Sequence, residues 1–156
     1  MSLQHYNRFY LQVLFVCFTL LAVLSCQEGK SPELSIEDTW QLISGKTIRG
    51  KDTISADYTD GQEVIKIIND SHFTFIRHDT NKGQDSTIVF IAGGGSYTLD
   101  GDDYVEVLEY CNIRHVEGDT IPFKITLQND TLVQIESSTD ENGIHTVGKQ
   151  YFIRMQ

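Results

Sequence analysis

The side chains best suited to binding chemistry lie in one strand-like segment, Tyr104 to Cys111. A β-strand sends successive side chains to opposite faces, so Tyr104, Glu106 and Tyr110 share one face. If that face points inward, a carboxylate and two phenols line a cavity, which is the usual pattern of an apolar pocket with few polar groups. Tyr97 would lie across a hairpin from this set. These four residues are the predicted ligand-binding set.

The opposite orientation of the same strand stays open. With Val105, Val107 and Cys111 inside, the interior would be more apolar, and Glu109 would become the buried acid. Hydrophobicity alone favours this second orientation. Because Cys111 continues the valine face, we predict a buried and unreactive thiol.

The spacing of the other chemical groups does not predict catalysis or metal binding. Gly95-Ser96-Tyr97 is not a Gly-x-Ser-x-Gly nucleophile turn, and Glu106 and Glu109 lie on opposite faces of one strand. His72 and His78 would stand about 20 Å apart along a strand, too far to share one metal, so we expect a turn residue and a rim residue. We therefore expect no enzyme, cofactor or metal. An enzyme would need a second titratable group facing the same cavity as Glu106.

The elements that must position these residues all have β patterns. Asp100 to Asp103 carries an Asp-Gly turn, which predicts that Ser96 to Leu99 pairs antiparallel with the Tyr104 strand. Three consecutive glycines, Gly93 to Gly95, stand where a strand pattern should continue. Glycine inside a strand typically marks a bulge or a sharp bend, so we interpret this run as a barrel corner.

From Thr39 onwards the chain shows about eight strand-like segments separated by short turns, with no long helical pattern. The first strand is expected to be interrupted near Ser44 and Gly45, and Ser35 to Asp38 forms either a capped helical turn or an extended lead-in. The short hairpins favour neighbouring strands in chain order. Closure would also protect apolar runs such as Val64 to Ile68 from edge-to-edge aggregation. We predict an all-β fold, a single antiparallel up-and-down β-barrel.

Several aromatic and glycine positions carry a family resemblance: Trp40, the Gly93 to Tyr97 run, Tyr104-Val105-Glu106, and Tyr151 to Arg154. Together they resemble the lipocalin-like domain of uncharacterised bacterial lipoproteins, a calycin-type β-barrel. The resemblance covers about residues 34–156, which is nearly the whole of the predicted mature domain. It implies an eight-stranded barrel with an internal cavity, lipid anchoring and no established reaction.

The resemblance also implies roles for particular residues. In barrels of this type an arginine on the last strand lies over the tryptophan of the first strand, so Arg154 is expected to stack on Trp40 as a structural pair. The same resemblance favours the orientation that places Tyr104 and Glu106 inside.

The N-terminal residues have the composition of a secretory signal. Arg8 precedes the apolar run Leu11 to Leu24, which is shorter than the roughly 20 residues of a membrane-spanning helix. The sequence Val23-Leu24-Ser25-Cys26 resembles the bacterial lipobox, in which the cysteine receives lipid such as palmitate. We predict a signal peptide at 1–25, lipid attachment at Cys26, a flexible tether at 26–33 and the barrel domain at 34–156. Gln27 after the cysteine favours the outer membrane.

The formal net charge of −10 argues against nucleic acid as a partner. The expected function is therefore a lipid-anchored binding protein of the bacterial cell envelope, holding a small, partly apolar ligand in its barrel. The alternative is a protein-interaction or inhibitor module of an envelope complex that acts through its acidic outer surface.

Overall fold

The computed structural model describes residues 35–84, 86 and 88–156. The predicted signal peptide, the tether and the lipid-attachment residue Cys26 lie outside the described residues. Within the described part, no helix is long and apolar enough to cross a membrane.

The described chain forms nine β-strands and one short 3-10 helix, Arg114–Val116. The strands are β1 Asp38–Arg49, β2 Asp52–Asp57, β3 Gln62–Ile68, β4 His72–Asp79, β5 Phe90–Asp100, β6 Asp103–Cys111, β7 Thr120–Gln128, β8 Thr131–Thr139 and β9 His145–Arg154.

The strands close into a barrel. From β3 to β9 each strand pairs antiparallel with the next, and β9 pairs back onto β1. β3 pairs with the first part of β1 and β2 with its second part, so β2 and β3 together occupy one position among eight around the barrel. The predicted all-β, antiparallel, up-and-down barrel of about eight strands is confirmed. The sequence pattern did not predict β2, which is a short strand of six residues that are all exposed.

The barrel has two different ends. We call the end where β1 begins and β9 finishes the Trp40 end, and the opposite end, where β7 begins and β8 finishes, the mouth. Core side chains fill the Trp40 end, including Ile36, Trp40, Ile68, Leu132 and Phe152. The indole Nε1 of Trp40 donates a 2.8 Å hydrogen bond to the carbonyl of Ile36. The segment before β1 is therefore held across this end as an extended lead-in, without the helical turn considered for Ser35 to Asp38.

The hairpin between β5 and β6 has the predicted register. Leu99 pairs with Tyr104, and Asp100 pairs with Asp103. Gly101 has a φ of 62°, a conformation that glycine adopts without a Cβ clash. The predicted Asp-Gly turn is confirmed.

The glycine run lies in the continuous strand β5, opposite a β-bulge in β6. Gly94 pairs with Tyr110 and Ser96 with Val107, so two residues of β6 oppose Gly95 alone. A Cβ built on Gly95 would lie 1.9 Å from the carbonyl oxygen of Val107, so only glycine fits there. A bulge is one of the features that glycine typically marks within a strand, whereas the barrel corner stays a prediction. The bulge shifts the alternation of side chains along β6.

β1 is also continuous, contrary to the predicted interruption near Ser44 and Gly45. Its pairing with β9 shifts register between Leu42 and Ser44, which is a second bulge. The bulge absorbs the break in the hydrophobic pattern without ending the strand.

Candidate functional site

The inward face of β6 carries the predicted tyrosine and glutamate. Tyr104 is 0% exposed and Glu106 is 4% exposed, whereas Val105 and Val107 on the other face are half-buried. The orientation that the family resemblance favoured is confirmed, and the more apolar alternative is wrong. A carboxylate therefore lies inside the barrel.

Tyr110 does not join this face. Its side chain is 69% exposed, so the prediction that it lines the interior is wrong. The bulge opposite Gly95 adds one residue to β6 and reverses the alternation beyond Leu108. Tyr110 instead borders a groove of about 530 Å³ above the glycine run, together with His72 and Thr74. Cys111 becomes buried in its place, so the predicted burial of the thiol is confirmed for a different reason.

Glu106 belongs to a group of three buried polar side chains that we call the polar triad: Lys66, Glu106 and Gln134. Lys66 Nζ donates to Glu106 Oε1 and, at 2.9 Å, to Gln134 Oε1. Gln134 Nε2 donates to Glu106 Oε1 at 3.2 Å. The charges of Lys66 and Glu106 thus cancel within a hydrogen-bonded cluster at the centre of the barrel. The sequence analysis identified only one member of it.

Aromatic rings surround the ammonium of the polar triad. Lys66 Nζ lies 5.1 to 5.8 Å from the ring centres of Phe73, Tyr104, Phe123 and Phe152. Rings at this distance attract a cation through their quadrupole. Burial lowers the pKa of Lys66, and the opposite charge of Glu106 works against this shift. Glu106 and the four rings together hold the ammonium in the interior.

Tyr104 packs beside the polar triad. Its hydroxyl is buried and has no hydrogen-bond partner among the described residues. Burial raises the pKa of Tyr104, and the negative charge of Glu106 adds to the effect.

Tyr97 lies on the same side as Tyr104, as predicted for its position across the hairpin. The two ring centres are 5.2 Å apart. The Tyr97 hydroxyl donates a 2.6 Å hydrogen bond to the carbonyl of Asn69, in the turn between β3 and β4. The Tyr97 hydroxyl is therefore already hydrogen-bonded within the fold.

A cavity of about 510 Å³ extends from the polar triad towards the mouth. This volume is within the range of small-molecule pockets, roughly 300–1,000 Å³. Both Lys66 and Glu106 line it, and its apolar walls include Leu42, Val64 and Phe75. The remaining lining residues include Asp119, Thr120, Ile121, Pro122, Phe123, Glu136, Gln150 and Phe152. The arrangement is a chamber with mixed apolar and polar walls and with paired charges at its inner end.

Lys66 supplies the second titratable group that an acid–base site at Glu106 would require. Its ammonium, however, is already bound by Glu106 and Gln134. This geometry therefore suits hydrogen-bonded recognition better than proton transfer.

The predicted structural pair at the Trp40 end is confirmed. Arg154 Cζ lies 4.6 Å from the centre of the Trp40 ring, and Arg154 also forms an ion pair with Asp38. The backbone N–H of Thr39 and the guanidinium of Arg154 lower the pKa of Asp38. Cation, indole and carboxylate thus join the first strand to the last.

His72 and His78 lie near opposite ends of β4. His72 is exposed at the start of β4, and His78 is half-buried with Nε2 3.3 Å from Glu63 Oε2. In the described part of the chain, no group of His, Cys, Asp or Glu side chains could hold a metal ion.

The fold and site define the protein as a closed eight-stranded antiparallel barrel with an internal, charge-paired cavity. No protein-family model matches the chain, and no curated protein matches it significantly.

Proposed function

We propose that this protein is a lipid-anchored binding protein of the bacterial cell envelope that holds a small, partly apolar ligand in its barrel. The observation that carries the proposal is the cavity of about 510 Å³ that reaches the buried Lys66–Glu106 pair. Apolar walls with a few fixed polar groups are the usual composition of a small-molecule site.

The buried charges support a role beyond stability. Removing two charges from water is costly, and a well-packed apolar pair is often as stable as a buried ion pair or more so. Lys66 and Glu106 are 5% and 4% exposed, yet both line the cavity. A ligand that hydrogen-bonds to this pair would give the charges a function.

The membrane anchor rests on the sequence. The apolar run Leu11 to Leu24 and the lipobox-like sequence ending at Cys26 support lipid attachment, and Gln27 supports the outer membrane. Attachment of more than one acyl chain would give stable anchoring. Labelling of cells with radioactive palmitate should mark the wild-type protein, and Cys26→Ser should remove both the label and the membrane association. Unchanged labelling of Cys26→Ser would refute this part of the proposal.

Native mass spectrometry of protein extracted gently from its own membranes tests ligand binding. We expect a small adduct beyond the mass of the lipidated chain. Val64 lines the cavity and Val105 lies on the outer face of β6, so Val64→Phe should lose the adduct while the matched control Val105→Phe keeps it. Loss from both variants, or from neither, would place the adduct outside the cavity.

The same spectra test the alternative function. If the spectra show the barrel bound to a second polypeptide and without a small adduct, they would favour the protein-interaction module. The acidic outer surface would then carry the function, and the polar triad would be structural.

A further inference from the structure

We propose that the cavity selects an uncharged ligand whose inner end both accepts and donates a hydrogen bond, as a carboxamide or lactam does. This inference rests on the proposed ligand-binding function and names the chemical class that the same site recognises.

The charge balance of the polar triad excludes a charged inner group. Lys66 and Glu106 form a one-to-one pair inside the barrel. A carboxylate or ammonium placed beside them would be a third buried charge without a counter-charge, which is strongly unfavourable in an apolar interior. An uncharged group avoids this cost.

The free hydrogen-bonding positions define the complementary group. An ammonium has three N–H donors, and Lys66 uses two of them, towards Glu106 and Gln134. Glu106 Oε1 accepts two hydrogen bonds within the polar triad, and no hydrogen bond of normal geometry from the described residues reaches Oε2. The buried Tyr104 hydroxyl is a neighbouring donor that has no partner of its own among these residues. One donor of Lys66 and one acceptor of Glu106 therefore remain on two side chains that line the same cavity. A carboxamide offers a carbonyl oxygen to the first and an N–H to the second.

The rest of the chamber disfavours an anionic ligand and provides apolar surface. Among the described residues that line the cavity, Lys66 is the only basic side chain. Asp119 and Glu136 add exposed carboxylates towards the mouth, which oppose the entry of an anion and attract a cation. The exclusion of a cation therefore rests on the paired charges at the inner end alone. The walls formed by Leu42, Val64 and Phe75 fit an apolar body behind the polar group.

Three probes with one ring and different polar groups test the inference: benzamide, benzoate and benzylammonium, at pH 7. The full lipidated chain is held in lipid nanodiscs, and ligand-detected saturation-transfer NMR measures the dissociation constants, with empty nanodiscs as the blank. We expect benzamide to bind at least tenfold more tightly than either charged probe. The wild-type ranking is informative without any variant.

A double variant tests whether the charged pair causes the preference. Lys66→Met combined with Glu106→Gln removes both charges together, and it should bring the three dissociation constants within about threefold of one another. Circular dichroism checks that the variant is folded, and Lys124→Met, at an exposed ion pair with Asp102, is the control that should keep the wild-type ranking.

The outcomes separate the two proposals. Equal or tighter binding of benzoate or benzylammonium by the wild-type chain would overturn the inference on ligand class but leave cavity binding intact. A benzamide preference that survives in the double variant would also overturn it. No binding of any probe would refute the inference, and the membrane-extracted adduct would then decide the proposed function separately.

Discussion

Removing one partner of the Lys66–Glu106 pair should destabilise the barrel far more than removing both. Glu106→Gln leaves the ammonium of Lys66 buried without its counter-charge, and Lys66→Met leaves the carboxylate in the same position. The loss of one partner from a buried pair typically costs about 3–5 kcal/mol. A domain of this size has a total stability of roughly 5–15 kcal/mol, so each single variant should remain folded but marginal.

The double variant should recover most of this loss. With both charges gone, Gln at position 106 can exchange hydrogen bonds with Gln134, and methionine keeps most of the apolar volume of the Lys66 side chain. Replacing a buried ion pair with uncharged groups is often neutral, so we expect a net change within about 2 kcal/mol of wild type. The coupling energy of the cycle should therefore be several kcal/mol, as expected for residues in direct contact.

Urea unfolding monitored by tryptophan fluorescence measures all four proteins. Trp40 is the only tryptophan in the sequence and is fully buried, so its emission reports the barrel alone. The dependence of the unfolding free energy on urea should be similar in all four proteins if the folded and unfolded states keep their exposed areas. Single variants that each cost less than about 1 kcal/mol would show that water solvates the pair, and the reasoning would fail.

Three further perturbations test other parts of the structure. Tyr104→Phe removes a buried hydroxyl without a partner among the described residues, so urea unfolding at neutral pH should show unchanged or higher stability, by up to about 1–3 kcal/mol. The pKa of Tyr104 in the folded state is raised above its ordinary value of 10.0, so the wild-type protein should lose stability as the pH rises above that value. Tyr104→Phe should lose less stability over the same pH range. Equal losses in the two proteins would contradict this assignment. Gly95→Ala should cost about 1–3 kcal/mol or more of stability, because the new Cβ would clash with Val107. Gly101→Asn is the control and should be tolerated, because no atom lies within 4 Å of a Cβ at that position. A Gly95→Ala variant that is as stable as the wild type in thermal unfolding would rule out the bulge. Trp40→Ala should cost about 3–5 kcal/mol, measured by circular dichroism, and an unchanged melting temperature would remove its structural role.

The sequence was informative wherever the decisive interaction was local. The Asp-Gly turn at Gly101 specified the register of β5 and β6, because only a few residues separate the paired positions. The alternation and short turns of the remaining strands were sufficient for the barrel class. The contact between Trp40 and Arg154 was predicted from the family resemblance, because residue spacing alone cannot predict a contact between the first strand and the last.

The inner site depended on contacts that spacing cannot show. Lys66 interrupts an otherwise apolar run, and its partners Glu106 and Gln134 lie 40 and 68 residues away. Periodicity placed Tyr110 inside because it assumes strict alternation, and the bulge opposite Gly95 breaks that alternation. A charged residue in an apolar strand, together with a glutamate on an inward face, was the available signal for a buried pair.

The most direct test of the account is a crystal structure of the protein purified from its own membranes without added ligand. We predict non-protein density inside the barrel, in contact with Lys66 and Glu106 and flanked by Val64 and Phe75. A cavity closed by the protein's own side chains, or occupied by ordered water alone, would contradict the proposal that this barrel holds a small molecule.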